Sequence, residues 1–231
     1  MQAVILAGGL GTRLRPFTYE IPKPMVPING KPYLEYQLEY LRKQDIKNIL
    51  ILVGYLGEQI SSYFGDGKKF GLDIQYSTES VPMGTGGGLK NAESLLEEDF
   101  LLIYGDSFLP LEYGDVIKKY NQCRSKALLC VYNNQEDTNV ISNIALEEET
   151  HKILAYRKDV QDITLKYVDA GVLIVNKEVL KYIPYQQVIS LEQYIFPILI
   201  KEGTLFAYPS NHRFYDIGTP ERLKLAMEVL V

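Results

Sequence analysis

The amino-acid sequence predicts an α/β fold built around a mixed, mostly parallel sheet that helices cover on both faces. Two observations lead to this class. Short runs of continuously apolar residues recur along the chain, as is typical of parallel strands buried on both faces. Patterns with helical spacing separate most of these runs, as they do in βαβ units. The chain has 231 residues, 46% of them hydrophobic, which is enough for a sizeable core.

The predicted elements alternate along the chain. Strands are expected at residues 2–6, 48–53, 74–77, 100–104, 127–132, 168–175, 204–208 and 213–217. Helices are expected at 32–44, 56–64, 89–96, 115–122, 191–201 and 220–230, the third of them opening after a glycine cluster at 84–88. Residues 140–147 and 152–157 are predicted to form an inserted antiparallel hairpin, with an acidic turn at 147–149. This hairpin is the reason to expect a mixed sheet.

Composition excludes several classes of protein. No linker, repeat or low-complexity segment interrupts the chain, so residues 1–231 are predicted to form one domain. A net charge of −5 argues against a nucleic-acid partner. No apolar run approaches the roughly 18 residues of a membrane-spanning helix, so no membrane partner is expected. Cys123 and Cys130 fit a chain with free thiols, and the N-terminus has no basic leader, so we expect a cytoplasmic location.

The charge is unevenly distributed. The first 31 residues carry Arg13, Arg15, Lys23 and Lys31 against Glu20, a net charge of +3. The remaining 200 residues carry a net charge of −8. A locally basic segment on an acidic body suggests a small anionic ligand.

Residues 6–13, LAGGLGTR, directly follow the first predicted strand. Glycines at such a turn let backbone N–H groups approach a phosphate closely. The loop lacks the G-K-[ST] ending of a Walker A loop. It also departs from a dinucleotide-binding fingerprint, because Arg13 replaces the third glycine and Gly54-Tyr55 stands where an acid would close the second strand. Taken alone, the glycines equally suit a tight connection between a strand and a helix.

The loop continues as GGLGTRLRPFTYEIPKPMVP, residues 8–27. The guanidinium of Arg13 suits phosphate oxygens, and Lys23 adds a mobile point charge. Pro22 and Pro24 stiffen the backbone on either side of Lys23. A solvated basic loop with turn-forming prolines is the alternative interpretation.

This stretch resembles the signature of the sugar-1-phosphate nucleotidyltransferases, GGxGTRLxPxTxxxPKPMxP, at every fixed position. The resemblance extends through GTGGGLK at 84–90, YGDS at 104–107 and YDIGTPERL at 215–223. In size the chain is similar to short bacterial members, which include heptose-1-phosphate guanylyltransferases and N-acetylmuramate-1-phosphate uridylyltransferase. The resemblance implies a Rossmann-like, three-layer nucleotide-binding fold, Mg²⁺ as cofactor, and release of pyrophosphate.

The resemblance also implies roles for particular residues. Nucleotide binding is expected from Leu6, Ala7, Gly8, Gly9, Gly11, Thr12, Arg13, Lys23, Glu79, Gly84, Thr85 and Asp106. Arg13, Lys23 and Asp106 are expected to be catalytic, since the reaction needs positioned, charge-neutralised phosphates more than acid–base chemistry. Asp106 and Asp216 are the expected metal ligands, because Mg²⁺ prefers carboxylate oxygens and both residues end strands. An aspartate after a strand is also a common turn or cap residue.

The identity of the base stays open at this point. Glu79 and the glycines at 84–88 occupy the stretch that binds the base in the resembling family. A carboxylate can accept hydrogen bonds from N1–H and N2–H₂ of guanine, which favours GTP, followed by UTP or CTP. The glycines of this stretch equally suit close packing of a helix on the sheet.

The acceptor half departs from the family pattern. Ile141-Ser142 replaces an aromatic–glycine pair, and Tyr156-Arg157-Lys158-Asp159-Val160 stands where F-x-E-K-P is expected. In either register of alignment, a cation replaces the carboxylate that binds sugar hydroxyls. The N-A-G motif is altered to Asp169-Ala170-Gly171. Lys158, Asp159, Asp169 and Gly171 are still the expected acceptor-binding residues. Two interpretations stay open: an unusual acceptor, or solvated charges on a hairpin edge.

The sequence therefore predicts a nucleotidyltransferase that joins an NTP and a sugar 1-phosphate for surface polysaccharide or cell-wall synthesis. Residues 1–110 would form the nucleotide-binding half and residues 111–231 the acceptor-binding half. A cytidylyltransferase for phosphocholine or another non-sugar phosphate ester is the first alternative, and a non-catalytic nucleotide or sugar-phosphate sensor is the second. A homodimer is also considered.

Overall fold

The computed structural model describes residues 1–123, 125–136, 138–158 and 160–230. The strands are β1 Gln2–Ala7, β2 Pro27–Ile28, β3 Lys31–Pro32, β4 Asn48–Val53, β5 Asp73–Thr78, β6 Asp99–Tyr104, β7 Ser107–Phe108, β8 Ala127–Tyr132, β9 Ile144–Leu146, β10 Ile153–Tyr156, β11 Val168–Asn176, β12 Leu205–Ser210 and β13 Tyr215–Asp216. The helices are α1 Tyr33–Lys43, α2 Gly57–Phe64, α3 Gly84–Asn91, α4 Tyr113–Gln122, α5 Phe196–Glu202 and α6 Pro220–Val229. None of the helices in these ranges is long and apolar enough to cross a bilayer.

Among the described residues, the central sheet has seven strands in the order β12-β8-β11-β6-β1-β4-β5. Parallel pairs join β1 to β4 and β6, β4 to β5, and β8 to β12. β11 runs antiparallel to its neighbours β6 and β8. The predicted mixed, mostly parallel sheet is confirmed, but β11 rather than the hairpin makes the central sheet mixed. The carboxyl ends of the parallel strands share one edge.

Helices cover both faces of the sheet, which confirms the three-layer arrangement. On one face, alternate residues of β1 such as Ile5 pack with Leu38 of α1 and Val116 of α4. On the other face, Val4 belongs to a cluster with Leu89 of α3 and Leu199 of α5. Consecutive residues of β1 thus point to opposite cores, which is why its sequence is apolar throughout.

The hairpin insertion is confirmed, although its ladder is shorter than predicted. β9 and β10 pair antiparallel in a two-stranded sheet of their own. Residues 140–143 precede the ladder and lead into the edge of a cleft described below. Likewise, the predicted strand at 213–217 is reduced to β13, which pairs with β7 outside the central sheet.

The prediction of a helix at 89–96 is wrong, because α3 begins at Gly84 and contains the whole glycine cluster. Glycine disfavours a helix by about 1 kcal/mol per residue, so residue preference alone places the cluster outside a helix. Close packing outweighs that preference here. A Cβ atom on Gly84 would lie 2.6 Å from the carbonyl oxygen of Ile189, and one on Gly87 would lie 2.5 Å from that of Gln187.

The predicted helix at 191–201 is also more complex than a single α-helix. It opens as a π-helical turn at Leu191–Ile195 and continues as α5. The hydroxyl of Ser190 caps this turn by accepting the N–H of Gln193 at 3.1 Å. The π turn lies beside α3, and it brings a glutamate of the turn to the cleft.

The basic N-terminal loop packs against the C-terminal helix. Leu14, Val26 and Ile28 share a buried cluster with Leu223 and Ala226 of α6. This third cluster joins the two ends of the chain. The loop between β1 and α1 is therefore fixed on one side by apolar contacts, and two of its basic side chains, Arg13 and Lys23, line the cleft at the carboxyl edge of the sheet.

Candidate active site

A cleft of about 630 Å³ lies at the carboxyl edge of the sheet. Its wall includes most of the predicted site residues, namely Leu6, Ala7, Gly8, Gly9, Arg13, Lys23, Glu79, Gly84, Thr85, Asp106, Lys158, Asp169, Gly171 and Asp216. Gly11 and Thr12 belong to the same loop but not to this wall. Asp159 lies outside the described residues. The predicted nucleotide, metal and acceptor residues thus meet in one cleft, and their individual roles stay predictions.

The turn that carries Asp106 is pressed against β1. The N–H of Gly105 donates to the carbonyl of Leu6 at 3.0 Å. A Cβ atom on Gly105 would lie 2.6 Å from that same oxygen, so any larger residue would push the turn away. The glycine of YGDS is therefore needed to bring Asp106 over the end of β1.

Asp216 reaches the same place from the far end of the chain. In the β7–β13 ribbon, Asp216 is paired with Ser107, the residue after Asp106. The N–H of Ile217 donates to the carbonyl of Asp106 at 3.1 Å. Because both aspartates line the cleft, the ribbon sets two carboxylates side by side.

Each of these carboxylates has a basic partner. Lys23 forms an ion pair with Asp106, and Arg222 Nη1 donates to Asp216 Oδ2 at 2.8 Å. Burial opposes ionisation of Asp106, but the charge and hydrogen bond of Lys23, with a smaller contribution from Arg13, lower its pKa. Burial and the charge of Asp106 together raise the pKa of Asp216, against the opposing charge of Arg222.

The donor set at this point suits a divalent cation that is shared with a phosphate. The described residues contain no cluster of three or more histidine, cysteine, aspartate or glutamate side chains that would form a cage around a metal. Mg²⁺ does not need such a cage, because it retains water and substrate oxygens and takes one or two carboxylates from the protein. The charge of Asp106 helps to raise the pKa of Asp216, and a bound cation would offset this repulsion between the two carboxylates.

The predicted base-binding end of the cleft lies between β1 and α3. Glu79 follows β5, and its N–H donates to the carbonyl of Val53 at 2.9 Å. One carboxylate oxygen, Oε2, accepts the N–H of Met83 at 2.9 Å, and the other lies against Gly8. Burial raises the pKa of Glu79, and the N–H of Met83 partly opposes this effect.

The predicted acceptor end contains a buried glutamate that sequence reasoning missed. Glu192, in the π turn, is 4% exposed. It accepts hydrogen bonds from the hydroxyls of Thr85 at 2.8 Å and Tyr104 at 2.7 Å, and also from Ser190. Lys158 Nζ lies 3.8 Å from Glu192 Oε1. Burial disfavours the charge of Glu192, but Lys158 and the hydroxyls around it lower its pKa.

Asp169 is the second carboxylate of the predicted acceptor end. Its Oδ1 accepts the N–H of Gly171 and its Oδ2 accepts the hydroxyl of Tyr156, each at 2.9 Å. Burial, with the charge of Glu192, raises the pKa of Asp169 to about 6, although these hydrogen bonds and Lys158 oppose the rise.

Of the two cations in the altered hairpin segment, one turns toward the cleft. Lys158 lines the cleft wall, whereas Arg157 pairs with Asp162 at 2.9 Å and is not part of that wall. The side chain of Arg157 is 57% exposed. Arg157 therefore fits the interpretation as a solvated charge. The interpretation as an unusual acceptor is left with one cation of this segment on the cleft wall, Lys158.

Sequence reasoning also missed Arg222 and Tyr104 on the cleft wall. Arg222 had a usable signal, because it lies in the first turn of α6 behind the Thr219 cap and six residues after Asp216. Tyr104 directly precedes the G-D-S turn, but nothing in its type or spacing distinguishes a tyrosine that binds a glutamate from one that packs in the core.

Comparison with known proteins agrees with this geometry. The Nucleotidyl transferase family profile matches residues 2–230. The chain is 34% identical to the D-glycero-alpha-D-manno-heptose 1-phosphate guanylyltransferase of Campylobacter jejuni, over 96% of each chain. It is 32% identical to the UTP--glucose-1-phosphate uridylyltransferase of a Synechocystis strain, over 94% of this chain, but spans only 60% of that relative's length.

A solved structure has the same fold. HddC from Yersinia pseudotuberculosis, in a crystal structure complexed with GMP-PN, superposes with a TM-score of 0.85 at 29% identity. The superposition covers 100% of this chain and 99% of HddC. Both the profile match and these relatives extend across the strands that carry the cleft. The chain therefore belongs to the nucleotidyl transferase family.

Proposed function

We propose that this chain transfers a nucleoside monophosphate from an NTP to a sugar 1-phosphate and releases pyrophosphate. The observation that carries the proposal is the pair of carboxylates, Asp106 and Asp216, held side by side by the β7–β13 ribbon in a cleft lined by Arg13, Lys23 and Arg222. A site that binds anions alone would not require two acids at its centre, one of them, Asp216, buried. Two acids among cations suit polyphosphate together with a divalent metal.

The reaction needs two phosphate compounds to be held together despite their charges. An oxygen of the sugar phosphate forms a bond to the α-phosphorus, and the bond from that phosphorus to the bridging oxygen of the leaving pyrophosphate breaks. The attacking phosphate is already ionised near neutral pH, so no proton must be removed from it. Positioning and charge neutralisation are therefore the main tasks of the protein.

The cations of the cleft divide these tasks. Arg13, exposed at the glycine loop, would bind the β- and γ-phosphates that leave. Lys23 lies at Asp106 and would neutralise the α-phosphate where the bond is exchanged. Arg222 holds Asp216 in place and presents a second cation to the same part of the cleft. Lys158 lines the cleft wall beside Glu192, at the end assigned to the acceptor, and would bind the phosphate of the acceptor.

Asp106 and Asp216 would hold Mg²⁺, which when bound withdraws charge from the phosphate oxygens during transfer. The other residues bind and orient the substrates. Gly8 and Gly9 line the cleft, and because glycine has no side chain of its own, their backbone groups can approach the nucleotide closely.

For the nucleotide we propose GTP, with UTP and CTP as the next candidates. Glu79 supports guanine, since its carboxylate lies at the cleft wall and can accept two N–H groups of that base. Relatives named as heptose 1-phosphate guanylyltransferases, from Campylobacter jejuni and Aneurinibacillus thermoaerophilus, support both GTP and a heptose 1-phosphate as the acceptor.

The halves of the cleft suggest the domain organisation that the sequence predicted. We propose one domain in which residues 1–110 bind the nucleotide and residues 111–231 bind the acceptor. Asp216 is an exception, because it belongs to the second half and lies at the centre of the site. Cytoplasmic location, a homodimer and a product used for surface polysaccharide or cell-wall synthesis remain predictions.

The proposal is tested by measuring the release of pyrophosphate in the presence of Mg²⁺. ATP, CTP, GTP, UTP and dTTP are each combined with heptose, hexose and N-acetylhexosamine 1-phosphates and with phosphocholine. We expect turnover with GTP and one sugar 1-phosphate. Turnover with phosphocholine alone would overturn the sugar assignment, and nucleotide binding without turnover on any acceptor would favour a sensor.

A further inference from the structure

The helix α1 contacts the backbone on either side of the two carboxylates without reaching the cleft itself. Tyr33 and Gln37 lie one helical turn apart, so their side chains leave the same face of α1. Tyr33 is 0% exposed and Gln37 is 3% exposed. Neither residue lines the cleft, and neither was singled out by the sequence.

Gln37 holds the turn that carries Asp106. Its amide nitrogen donates to the carbonyl of Tyr104 at 2.9 Å and to that of Ser107 at 2.5 Å. These two carbonyls flank the Gly105-Asp106 dipeptide, so one side chain closes both ends of the turn. Both hydrogen bonds are donated by the amide nitrogen of Gln37. The amide oxygen, Oε1, is buried and has no hydrogen-bond partner in the described parts of the chain.

Tyr33 holds the strand that carries Asp216. Its hydroxyl donates to the carbonyl of Tyr215 at 2.9 Å. Burial raises the pKa of Tyr33 well above its usual value, and the charges of Asp106 and Asp216 raise it further. The tyrosine stays a neutral hydrogen-bond donor at all ordinary pH values.

The unpartnered oxygen of Gln37 is costly, since a buried acceptor that has lost its water and gained no partner destabilises a fold. An apolar side chain at this position would avoid that cost but could not donate to the turn. The two bonds to Tyr104 and Ser107 therefore matter for the geometry of the turn rather than for stability alone.

We propose that Tyr33 and Gln37 are positioning residues, which together form a two-point clamp that sets Asp106 and Asp216 at the spacing required to share a divalent cation. The proposal rests on the proposed function, because it assigns a purpose to the same pair of carboxylates. Backbone partners that orient metal ligands act in this way elsewhere, and their loss weakens metal binding by about 10- to 100-fold.

The experiment compares Tyr33→Phe and Gln37→Met with Tyr36→Phe. Tyr36 lies on the same helix and is buried, and its hydroxyl donates to the carbonyl of Ile28 at 3.0 Å, away from both aspartates. Tyr36→Phe thus removes the same kind of hydrogen bond as Tyr33→Phe. Binding of Mn²⁺ to the protein alone is measured by electron paramagnetic resonance, together with the thermal unfolding temperature.

We expect both clamp variants to bind Mn²⁺ about 10-fold more weakly than the wild type and Tyr36→Phe to bind it as the wild type does. In turnover, kcat should fall while KM for GTP stays constant. Wild-type Mn²⁺ affinity in Tyr33→Phe, with a loss of stability like that of Tyr36→Phe, would overturn the clamp, as would a wild-type protein that does not bind Mn²⁺.

The two proposals fail in different ways. If the wild type binds Mn²⁺ but releases no pyrophosphate with any substrate pair, the proposed function is wrong, and the Mn²⁺ affinities of the variants still decide the clamp. If the wild type turns over and the variants match Tyr36→Phe in affinity and kcat, the proposed function stands and the clamp is wrong.

Discussion

The carbonyl oxygen of Asp106 accepts a hydrogen bond from the N–H of Ile217 at 3.1 Å, which joins the ends of two strands from opposite halves of the chain. The bond belongs to the ribbon that pairs Asp216 with Ser107. The proposed metal pair is thus assembled by backbone hydrogen bonds, and the carboxylates themselves remain available to Lys23 and Arg222. Changes to these carboxylates should affect chemistry much more than folding.

Replacing Asp106 by asparagine should remove turnover and keep the fold. Asparagine preserves the shape of the side chain, but it cannot supply the negative charge that holds a divalent cation. We expect kcat to fall by about 100-fold or more, and stability to fall by about 1–3 kcal/mol because Lys23 loses its partner. Pyrophosphate release at saturating Mg²⁺ and urea unfolding measure the two effects.

Asp99→Asn is the matched control, because Asp99 begins the strand β6 that Asp106 follows. It accepts the hydroxyl of Tyr120 at 2.6 Å and the amide of Asn176 at 2.8 Å, and an asparagine oxygen can accept both. Its kcat should equal that of the wild type. Full activity of Asp106→Asn with excess Mg²⁺ would show that Asp106 is not a metal ligand.

Glu79→Gln should weaken the binding of GTP without removing catalysis. The glutamine amide can accept with its oxygen, but it cannot offer a charged acceptor to the two N–H groups of guanine. Hydrogen bonds to a charged group contribute about 1.5–3 kcal/mol, so KM for GTP should rise by about 10- to 100-fold while kcat changes little. Initial rates over a range of GTP concentrations give both constants.

Glu93→Gln serves as the comparison for this change. Glu93 follows α3 and pairs with Lys90 at 2.8 Å, with a side chain that is 41% exposed and outside the cleft wall. Its KM for GTP should not change. An equal KM for GTP in Glu79→Gln and the wild type would remove the reason to assign guanine to this carboxylate.

The central sheet could be predicted because its strands are apolar on both faces. In β4, for example, five consecutive residues from Ile49 to Val53 are buried, and a continuous apolar run of this length is typical of a strand in a helix-covered sheet. The boundaries of α3 could not be predicted in the same way. Glycine preference and tertiary packing oppose each other there, and the contacts with Ile189 and Gln187 come from a distant segment.

The site was predictable where a motif is local and unpredictable where it is assembled by folding. Arg13, Lys23, Asp106 and Asp216 belong to contiguous motifs, and the structure brings them to one cleft. Glu192 has no such motif. It becomes a site residue because a π turn buries it beside Thr85 and Tyr104, which approach from two other elements. Periodicity alone would have assigned it to the surface of a helix.

Lys158 and Arg157 are adjacent in sequence but should differ in their effect on catalysis. Lys158→Met removes the cation that faces the acceptor end of the cleft. We expect kcat/KM for the sugar phosphate to fall by about 10- to 100-fold and KM for GTP to remain unchanged, since a charged hydrogen bond contributes about 1.5–3 kcal/mol. Arg157→Gln should retain wild-type values, because Arg157 pairs with Asp162 outside the cleft wall.

The measurement is a pair of saturation curves, one for each substrate, on both variants. An acceptor defect in Arg157→Gln as large as that in Lys158→Met would contradict the orientation of the two side chains. It would also restore the interpretation in which two cations surround an unusual acceptor.

Asp169→Asn should stabilise the protein near neutral pH. Burial raises the pKa of Asp169 to about 6 from an ordinary value of 3.8, so the folded state binds a proton more tightly than the unfolded state. Ionisation of Asp169 therefore opposes folding, and stability falls as pH rises between these two values. Above both values the penalty amounts to roughly 3 kcal/mol, and below both it is absent. Asparagine is neutral throughout and can accept the N–H of Gly171 as aspartate does.

Urea unfolding at about pH 3.5 and about pH 7.5, which lie on either side of both pKa values, gives the comparison. The gain in stability of Asp169→Asn over the wild type should be large at the higher pH and small at the lower one. Asp162→Asn should behave in the opposite way. Hydrogen bonds from Thr164, with the charge of Arg157, lower the pKa of Asp162, so its ionised form favours folding and the contribution is lost as pH falls. If Asp169→Asn gains the same stability at both pH values, the gain comes from a difference in packing between aspartate and asparagine and not from removal of a buried charge.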